Sequence, residues 1–263
     1  MYSNMKIKVK FKPPGNPIRN GFIAENMNEF QHKGENKKQF VQSMFDDISP
    51  QYDFLNHLLS FGIDLYWRNM LVNSLPLTDS MIILDVATGT GDVGFAILKK
   101  ADVKIIGLDY AFKMAETGHH KSSKKGYSKQ FTFIQGDAEC LPIAYDSVDV
   151  LTISYGFRNI GHYDKAMAEF YRVLKPGGMC AVLEFQTPHS QLFGKLFTFY
   201  FKHMLPRIGA LFSRSDAYRY LPESVQNFLN RGEMIKLMQN SGFKQTEYKD
   251  MTFGISSLFK GVK

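Results

Sequence analysis

The sequence predicts an α/β fold built on a seven-stranded, mostly parallel sheet. Three observations lead there. Five short apolar runs alternate with helical segments between Met81 and Phe185; a glycine-rich turn follows the first run directly and opens a helix; and two further apolar runs follow a helix near the C-terminus. The chain has 263 residues, 44% hydrophobic and 22% charged, which suits one α/β domain carrying an extension and an insertion.

Residues 1–38 read as a basic, flexible arm. Lys6, Lys8, Lys10 and Lys12 alternate with apolar residues, and Pro13, Pro14, Gly15 and Pro17 break any regular element. Residues 1–40 hold eight Lys or Arg against three Glu, so +5 of the net +7 lies there. Such an arm is either a solvated tail or an electrostatic contact with an anionic lipid surface. From Asn36 to Leu75 two helices flank a loop, the first placing Phe40, Met44, Phe45 and Ile48 on one side before Pro50 interrupts. Strands are expected at Met81–Val86, Val103–Leu108, Phe131–Gln135, Val148–Ser154 and Gly178–Phe185. Helices fall between them near Val93–Lys99, Phe112–Lys124 and Lys165–Leu174. Residues 190–229 form an aromatic helical insertion, covering a site, joining a dimer or packing as ordinary core. A helix at Glu233–Asn240 and an edge hairpin, Phe243–Tyr248 with Phe253–Val262, close the sheet. There is no internal repeat.

Composition removes several function classes. Two distant cysteines, Cys140 and Cys180, build neither a disulfide scaffold nor a four-cysteine metal site, so no metal is expected and a reducing cytoplasm is the expected setting. The basic N-terminus interrupts any secretory signal, and the aromatic stretch Leu196–Phe201 is bounded by Lys195 and Lys202, too short to span a bilayer. Beyond residue 40 the chain is nearly neutral, which argues against nucleic acid as a partner.

Ile82-Ile83-Leu84-Asp85-Val86-Ala87-Thr88-Gly89-Thr90-Gly91-Asp92-Val93-Gly94 puts a buried strand before a glycine turn and a helix, the layout of a nucleotide-cofactor loop. The spelling alone does not separate a dinucleotide from another adenosine cofactor. Asp85 and Asp92 would repel a pyrophosphate and attract a cationic methionine ammonium. Asp109, at the end of the second strand, can accept both ribose hydroxyls of either cofactor. Asp137, after the third, can accept an adenine amino group. Together these acidic strand ends favour S-adenosylmethionine, with Gly89 and Gly91 giving the backbone close approach.

Several stretches resemble the quinone-biosynthesis C-methyltransferase family, which includes the demethylmenaquinone and ubiquinone enzymes. They are Tyr52-Asp53-Phe54-Leu55-Asn56-His57-Leu58-Leu59-Ser60-Phe61-Gly62-Ile63-Asp64-Leu65-Tyr66-Trp67-Arg68, the run from Arg172 to Phe185, Ser154-Tyr155-Gly156-Phe157-Arg158-Asn159, Leu205-Pro206-Arg207-Ile208-Gly209 and Tyr218-Arg219-Tyr220-Leu221-Pro222-Glu223-Ser224. The similarity runs from about Gln39 to the C-terminus. Asp64 departs from it, standing where many members have His, as does Gln186-Thr187-Pro188, where Ser-x-Pro is common. The resemblance implies a Rossmann-like class I methyltransferase domain over 39–263 with one antiparallel closing strand. It implies S-adenosylmethionine contacts at Thr90, Asp109, Asp137, Ala138 and Ser154, and a polyprenyl hydroquinone as methyl acceptor.

On that chemistry, a ring carbon becomes nucleophilic once the neighbouring hydroxyl is deprotonated. With tyrosine's pKa of about 10 as guide, this needs about 4 kcal/mol near neutral pH. One cation at about 4 Å supplies that amount at an effective dielectric near 20, and Arg158, after the fourth strand, is the candidate. Asp92 is the candidate base and Tyr52 orients the ring. Asn56, Asn159, Phe197 and Tyr200 complete the substrate contacts, the insertion accommodating an isoprenoid tail. His57 and His162 read as surface residues. Transient membrane-surface contact at the inner face and a homodimer fit the same reading. The rivals are another acceptor (a sterol, small phenol or RNA base), a nicotinamide-dependent reductase, and a non-enzymatic assembly partner.

Overall fold

The computed structural model describes residues 34–49, 53, 57, 60–188, 199 and 217–263. Residues 1–33 of the arm, Tyr52, Asn56, Phe197, Tyr200 and, apart from Phe199, residues 189–216 of the insertion lie outside the described residues.

The sheet has the order β3-β2-β1-β4-β5-β7-β6. Its strands are β1 (Ile82–Val86), β2 (Lys104–Asp109), β3 (Phe131–Gln135), β4 (Val148–Ser154), β5 (Leu174–Phe185), β6 (Lys244–Met251) and β7 (Ser256–Val262). The first five pair in parallel, and β7 runs antiparallel to both β5 and β6. Among the described residues the helices are α1 (Gly34–Ile48), α2 (Ile63–Asn73), α3 (Asp92–Leu98), α4 (Phe112–Lys124), α5 (Tyr163–Val173), α6 (Ala217–Gln226) and α7 (Arg231–Asn240). None is long and apolar enough to cross a membrane.

Strand alternation divides the core. Leu84, Val86, Leu151 and Ile153 face one side, with Phe170, Met234 and Met238; Ile83, Ile105 and Val150 face the other, with Trp67, Leu71 and Phe131. Both faces of the parallel strands are covered, hence their near-continuous apolar runs.

Several boundaries differ from the sequence reading. The arm was drawn to residue 38, but α1 begins at Gly34 and buries Lys37 and Lys38. Lys37 Nζ donates to the carbonyls of Arg158 and Ile160 at 2.7 and 2.9 Å, so this charge is anchored rather than solvated. β5 starts at Leu174, which pairs with Val148, and the Lys175-Pro176-Gly177-Gly178 segment then bulges, with Gly177 at φ +80°, before pairing resumes between Met179 and Val150. The C-terminal hairpin adds at the β5 edge of the sheet, as expected. Its second strand, β7, inserts between β5 and β6 and is largely buried, while β6 exposes Lys244, Glu247 and Lys249 along the sheet edge. A 3-10 turn at Thr252–Gly254 occupies the start of the run read as strand. The last helix starts at Arg231, where Asn230 and Glu233 form a reciprocal capping box.

Candidate active site

Adjacent parallel strands leave a crevice where their order reverses, beyond their carboxyl ends. Here it lies between the ends of β1 and β4 and extends over β2 and β3, enclosing about 750 Å³ open to solvent. Of the residues expected at a cofactor, Gly89, Asp109, Asp137, Ala138 and Ser154 line it, and so does Asn159. Asp85, Thr90, Gly91, Asp92 and Arg158 do not.

Gly89 (φ +56°) and Gly91 (φ +91°) take the left-handed conformation, turning the chain from β1 into α3. Asp109 Oδ2 accepts the Gly89 amide at 2.7 Å and Oδ1 the Ala111 amide at 2.9 Å, so this carboxylate fixes the turn and presents its remaining lone pairs to the crevice. Burial pushes Asp109 up to about 6. Asp85 is equally enclosed and also pushed up to about 6 by burial, but its oxygens accept the hydroxyls of Thr88 (2.6 Å) and Thr152 (2.7 Å). Asp85, expected at the cofactor, is thus not on the crevice wall; it lies on β1 one residue out of phase with Leu84 and Val86 and holds the loop through Thr88.

At the β3 end, Asp137 Oδ1 accepts the Glu139 amide at 2.9 Å, and Lys38 of α1 reaches Asp137 and Glu139, each at 2.8 Å. His162, read as a surface residue, pairs through Nδ1 with Glu139 at 2.8 Å. Glu35, Glu139 and His162 converge closely enough to ligate an ion, but the Lys38 ammonium lies 3.1 Å from Glu35 and neutralises the same cluster. Val41 and Phe45 of α1 wall the crevice opposite Ala87, Ala111 and Met114.

The lining supports an adenosyl cofactor of positive charge. The Ser154 hydroxyl is buried on the wall with no hydrogen-bond partner among the described residues, and Asp109 can accept ribose hydroxyls. Among the described residues Lys38 is the only basic side chain lining the crevice, against Asp109, Asp137 and Glu139. A pyrophosphate would find net negative charge; a sulfonium finds a complement.

Asp92 stands beside this crevice in a second cluster. Its oxygens meet Arg68 at 2.7 Å and Lys121 at 2.6 Å, and Lys121 also reaches Asp53 at 2.7 Å. Thr90 donates to Asp53 at 2.6 Å rather than facing the crevice. Burial alone would raise Asp92, but Arg68 and Lys121 outweigh it and hold the carboxyl below its usual range. Doubly paired, it is a weak base, contrary to the role expected for it.

Arg158 is buried with Glu184. Nη1 lies 2.7 Å from Glu184 Oε1 and also donates to the Tyr155 carbonyl, Nε donates to Ser224 at 3.3 Å, and the guanidinium stacks on Phe185. The charge expected to act alone on a phenolate is thus shared with a carboxylate. Asn159 accepts the Tyr220 hydroxyl at 3.1 Å.

Sequence reasoning missed Lys38, Lys121, Asp53 and Glu184. Glu184 carried a signal, as the one charge in the apolar run Ala181–Phe185; Lys38 and Lys121 carried none, being indistinguishable from solvated lysines in basic runs.

The model of the ubiE/COQ5 methyltransferase family matches residues 31–263. The chain is 42% identical over 229 residues to a Geobacter sulfurreducens protein named ubiquinone/menaquinone biosynthesis C-methyltransferase UbiE, covering 86% of this chain and 90% of that one. It is 42% identical over 231 residues to a Deinococcus radiodurans protein named demethylmenaquinone methyltransferase, covering 87% and 95%. A solved Thermotoga maritima S-adenosylmethionine-dependent methyltransferase, 18% identical, superposes with a TM-score of 0.61 over 85% of this chain and 99% of that chain. The fold is therefore that of class I methyltransferases, the cofactor is S-adenosylmethionine, and the chain belongs to the ubiE/COQ5 methyltransferase family.

Proposed function

We propose that the methyl acceptor is a ring carbon of a polyprenyl hydroquinone, demethylmenaquinol, which becomes menaquinol. The observation that carries this reading is similarity, over nearly the whole chain, to proteins named for quinone C-methylation. When bound, S-adenosylmethionine supplies an electrophilic methyl group on its sulfonium. Asp109 accepts the ribose hydroxyls, Asp137 and Ala138 receive the adenine edge, Ser154 supplies its unpaired hydroxyl, and Gly89, Thr90 and Gly91 keep the loop narrow. Asp85 holds that loop through Thr88.

Arg158, held by Glu184, Ser224 and the Tyr155 carbonyl, lends its positive charge to the oxygen of the deprotonated acceptor. Asp92 keeps Arg68 and Lys121 beside the sulfonium end. Tyr52, Asn56, Asn159, Phe197 and Tyr200 position the ring and its tail. Residues 39–263 form the transferase domain, with 190–229 as a cover that excludes water, so that oppositely charged reactants meet in a medium of low dielectric. The basic segment before α1 attaches the enzyme transiently to the anionic inner face of the membrane where the lipid substrate resides, and two chains pair as a homodimer.

The test is methyl transfer from labelled S-adenosylmethionine by the purified full chain to demethylmenaquinol with a short prenyl tail, kept reduced by dithionite. The expected product is menaquinol by mass spectrometry. Tight cofactor binding with no transfer to any hydroquinone would overturn the reading, as would preferential methylation of a sterol, a simple phenol or RNA.

A further inference from the structure

One pair remains outside this scheme. His57 Nδ1 lies 2.8 Å from Asp64 Oδ2, and Asp64 Oδ1 accepts the Ser60 hydroxyl at 2.7 Å. The side chain of Asp64 is 6% exposed, that of His57 35%. A tight turn makes the contact: Phe61 and Gly62 both take positive φ, the Gly62 amide donates to the His57 carbonyl at 2.8 Å, and α2 then starts with Asp64 in its first turn. One helical turn further on, Arg68 touches Asp64 at 3.3 Å and Asp92 at 2.7 Å, which ties the pair to the start of α3, where the glycine loop ends.

We propose that His57 is the base that takes the hydroxyl proton of the acceptor, and that Asp64 is the positioning residue that holds its ring. The proposal rests on the hydroquinone reading above. A carboxylate on Nδ1 keeps the proton on that nitrogen and leaves the Nε2 lone pair pointing away from Asp64, and it stabilises the imidazolium that forms. Nε2 has no hydrogen-bond partner among the described residues. Among the described residues the charged groups around the pair are Asp64 and Arg68 from α2, Asp92 from α3, Lys121 from α4, and Asp53; Arg68 is shared between Asp64 and Asp92, while Lys121 pairs with Asp92 and Asp53. Asp92, held by two cations, is the poorer proton acceptor.

In the step, the hydroxyl proton passes to Nε2 and the electron pair left on oxygen delocalises to the adjacent ring carbon. That carbon forms its bond to the methyl group as the sulfur–methyl bond breaks, the bonding pair staying on sulfur. The ring C–H proton then leaves to water, aromaticity returns, and His57 gives its proton back to the oxygen. One proton is released per turnover.

The experiment uses the full chain with short-tail demethylmenaquinol and S-adenosylmethionine. His57→Gln is expected to lower kcat about 10²- to 10⁴-fold, to abolish the acidic limb of log kcat against pH, and to leave the dissociation constant for S-adenosylmethionine within threefold. Free imidazole should restore turnover to His57→Ala. Asp64→Asn should lower kcat with little change in KM, and Asp64→Glu should recover part of it. Apart from activity, ¹⁵N spectra of the imidazole ring should report the Nδ1–H tautomer in the wild type and its loss in Asp64→Asn. The dyad is overturned by an Nε2–H tautomer in the wild type, by an unchanged pH limb in His57→Gln, or by cofactor affinity falling in step with turnover. Absence of any hydroquinone methylation by the wild type would instead overturn the acceptor reading, and the base with it.

Discussion

The ammonium of Lys38 lies 2.8 Å from both Asp137 Oδ2 and Glu139 Oε2, so α1 is pinned across the crevice by the two carboxylates that follow β3. Burial alone would lower the lysine, but its bonds to Asp137 and Glu139 raise it above its usual range. Lys38→Met leaves these carboxylates facing each other without their cation. A loss on the order of 1–3 kcal/mol in unfolding free energy is expected, with weaker S-adenosylmethionine binding because the wall formed by Val41 and Phe45 loosens. Denaturant titration and calorimetric binding check both, and Lys38→Arg should be milder in each.

Asp85 and Asp109, both pushed up to about 6 by burial, give a pH signature of definite sign. Between about pH 4, where the unfolded chain releases these protons, and pH 6, the folded state still holds them. Stability from this pair is therefore present at the acidic end and declines as pH rises through that window, by about 3 kcal/mol for each group. Because other carboxylates push the opposite way, the measurement is a difference. The unfolding free energy of wild type minus that of Asp109→Asn should fall from pH 4 to 6.5, and a flat difference would contradict the assignment.

The same ionisation bears on the cofactor. Ribose hydroxyls donate to a carboxylate, so S-adenosylmethionine affinity should rise as pH increases through about 6. Titration calorimetry at pH 5 and 7 is expected to show this for wild type, and Asp109→Asn should bind at least tenfold more weakly with the pH dependence gone.

Arg158 and Glu184 separate stability from chemistry. Glu184 is fully buried, and removing the arginine alone leaves it without a cation, a loss of about 3–5 kcal/mol. The double variant Arg158→Met/Glu184→Met should recover most of that stability and bind S-adenosylmethionine normally, yet fail to methylate demethylmenaquinol. Turnover by the double variant within tenfold of wild type would remove Arg158 from the chemistry.

Gly156 lines the crevice, and a Cβ placed there would run into the Cβ of Ala87 at the end of β1. Both atoms belong to stiff backbone, so Gly156→Ala should cost about 1–3 kcal/mol and displace the glycine loop, read as a fall in thermal midpoint and in cofactor affinity.

The sequence by itself determined the strand–helix rhythm, the seven strands, the glycine turn and the acids around the ends of the first three strands, because these are local signals: period-2 and period-3.6 burial, and φ values that only glycine takes easily. It placed Asp109, Asp137 and Ser154 at strand ends, and the fold brings all three to one crevice. Tertiary structure alone decided which charges are spent on each other. That Lys38 meets Asp137 across 99 residues, Asp92 meets Lys121, and Arg158 meets Glu184 follows from where the sheet carries each element. No spacing along the chain encodes such pairs, and desolvation on burial is what compels each charge to find its partner.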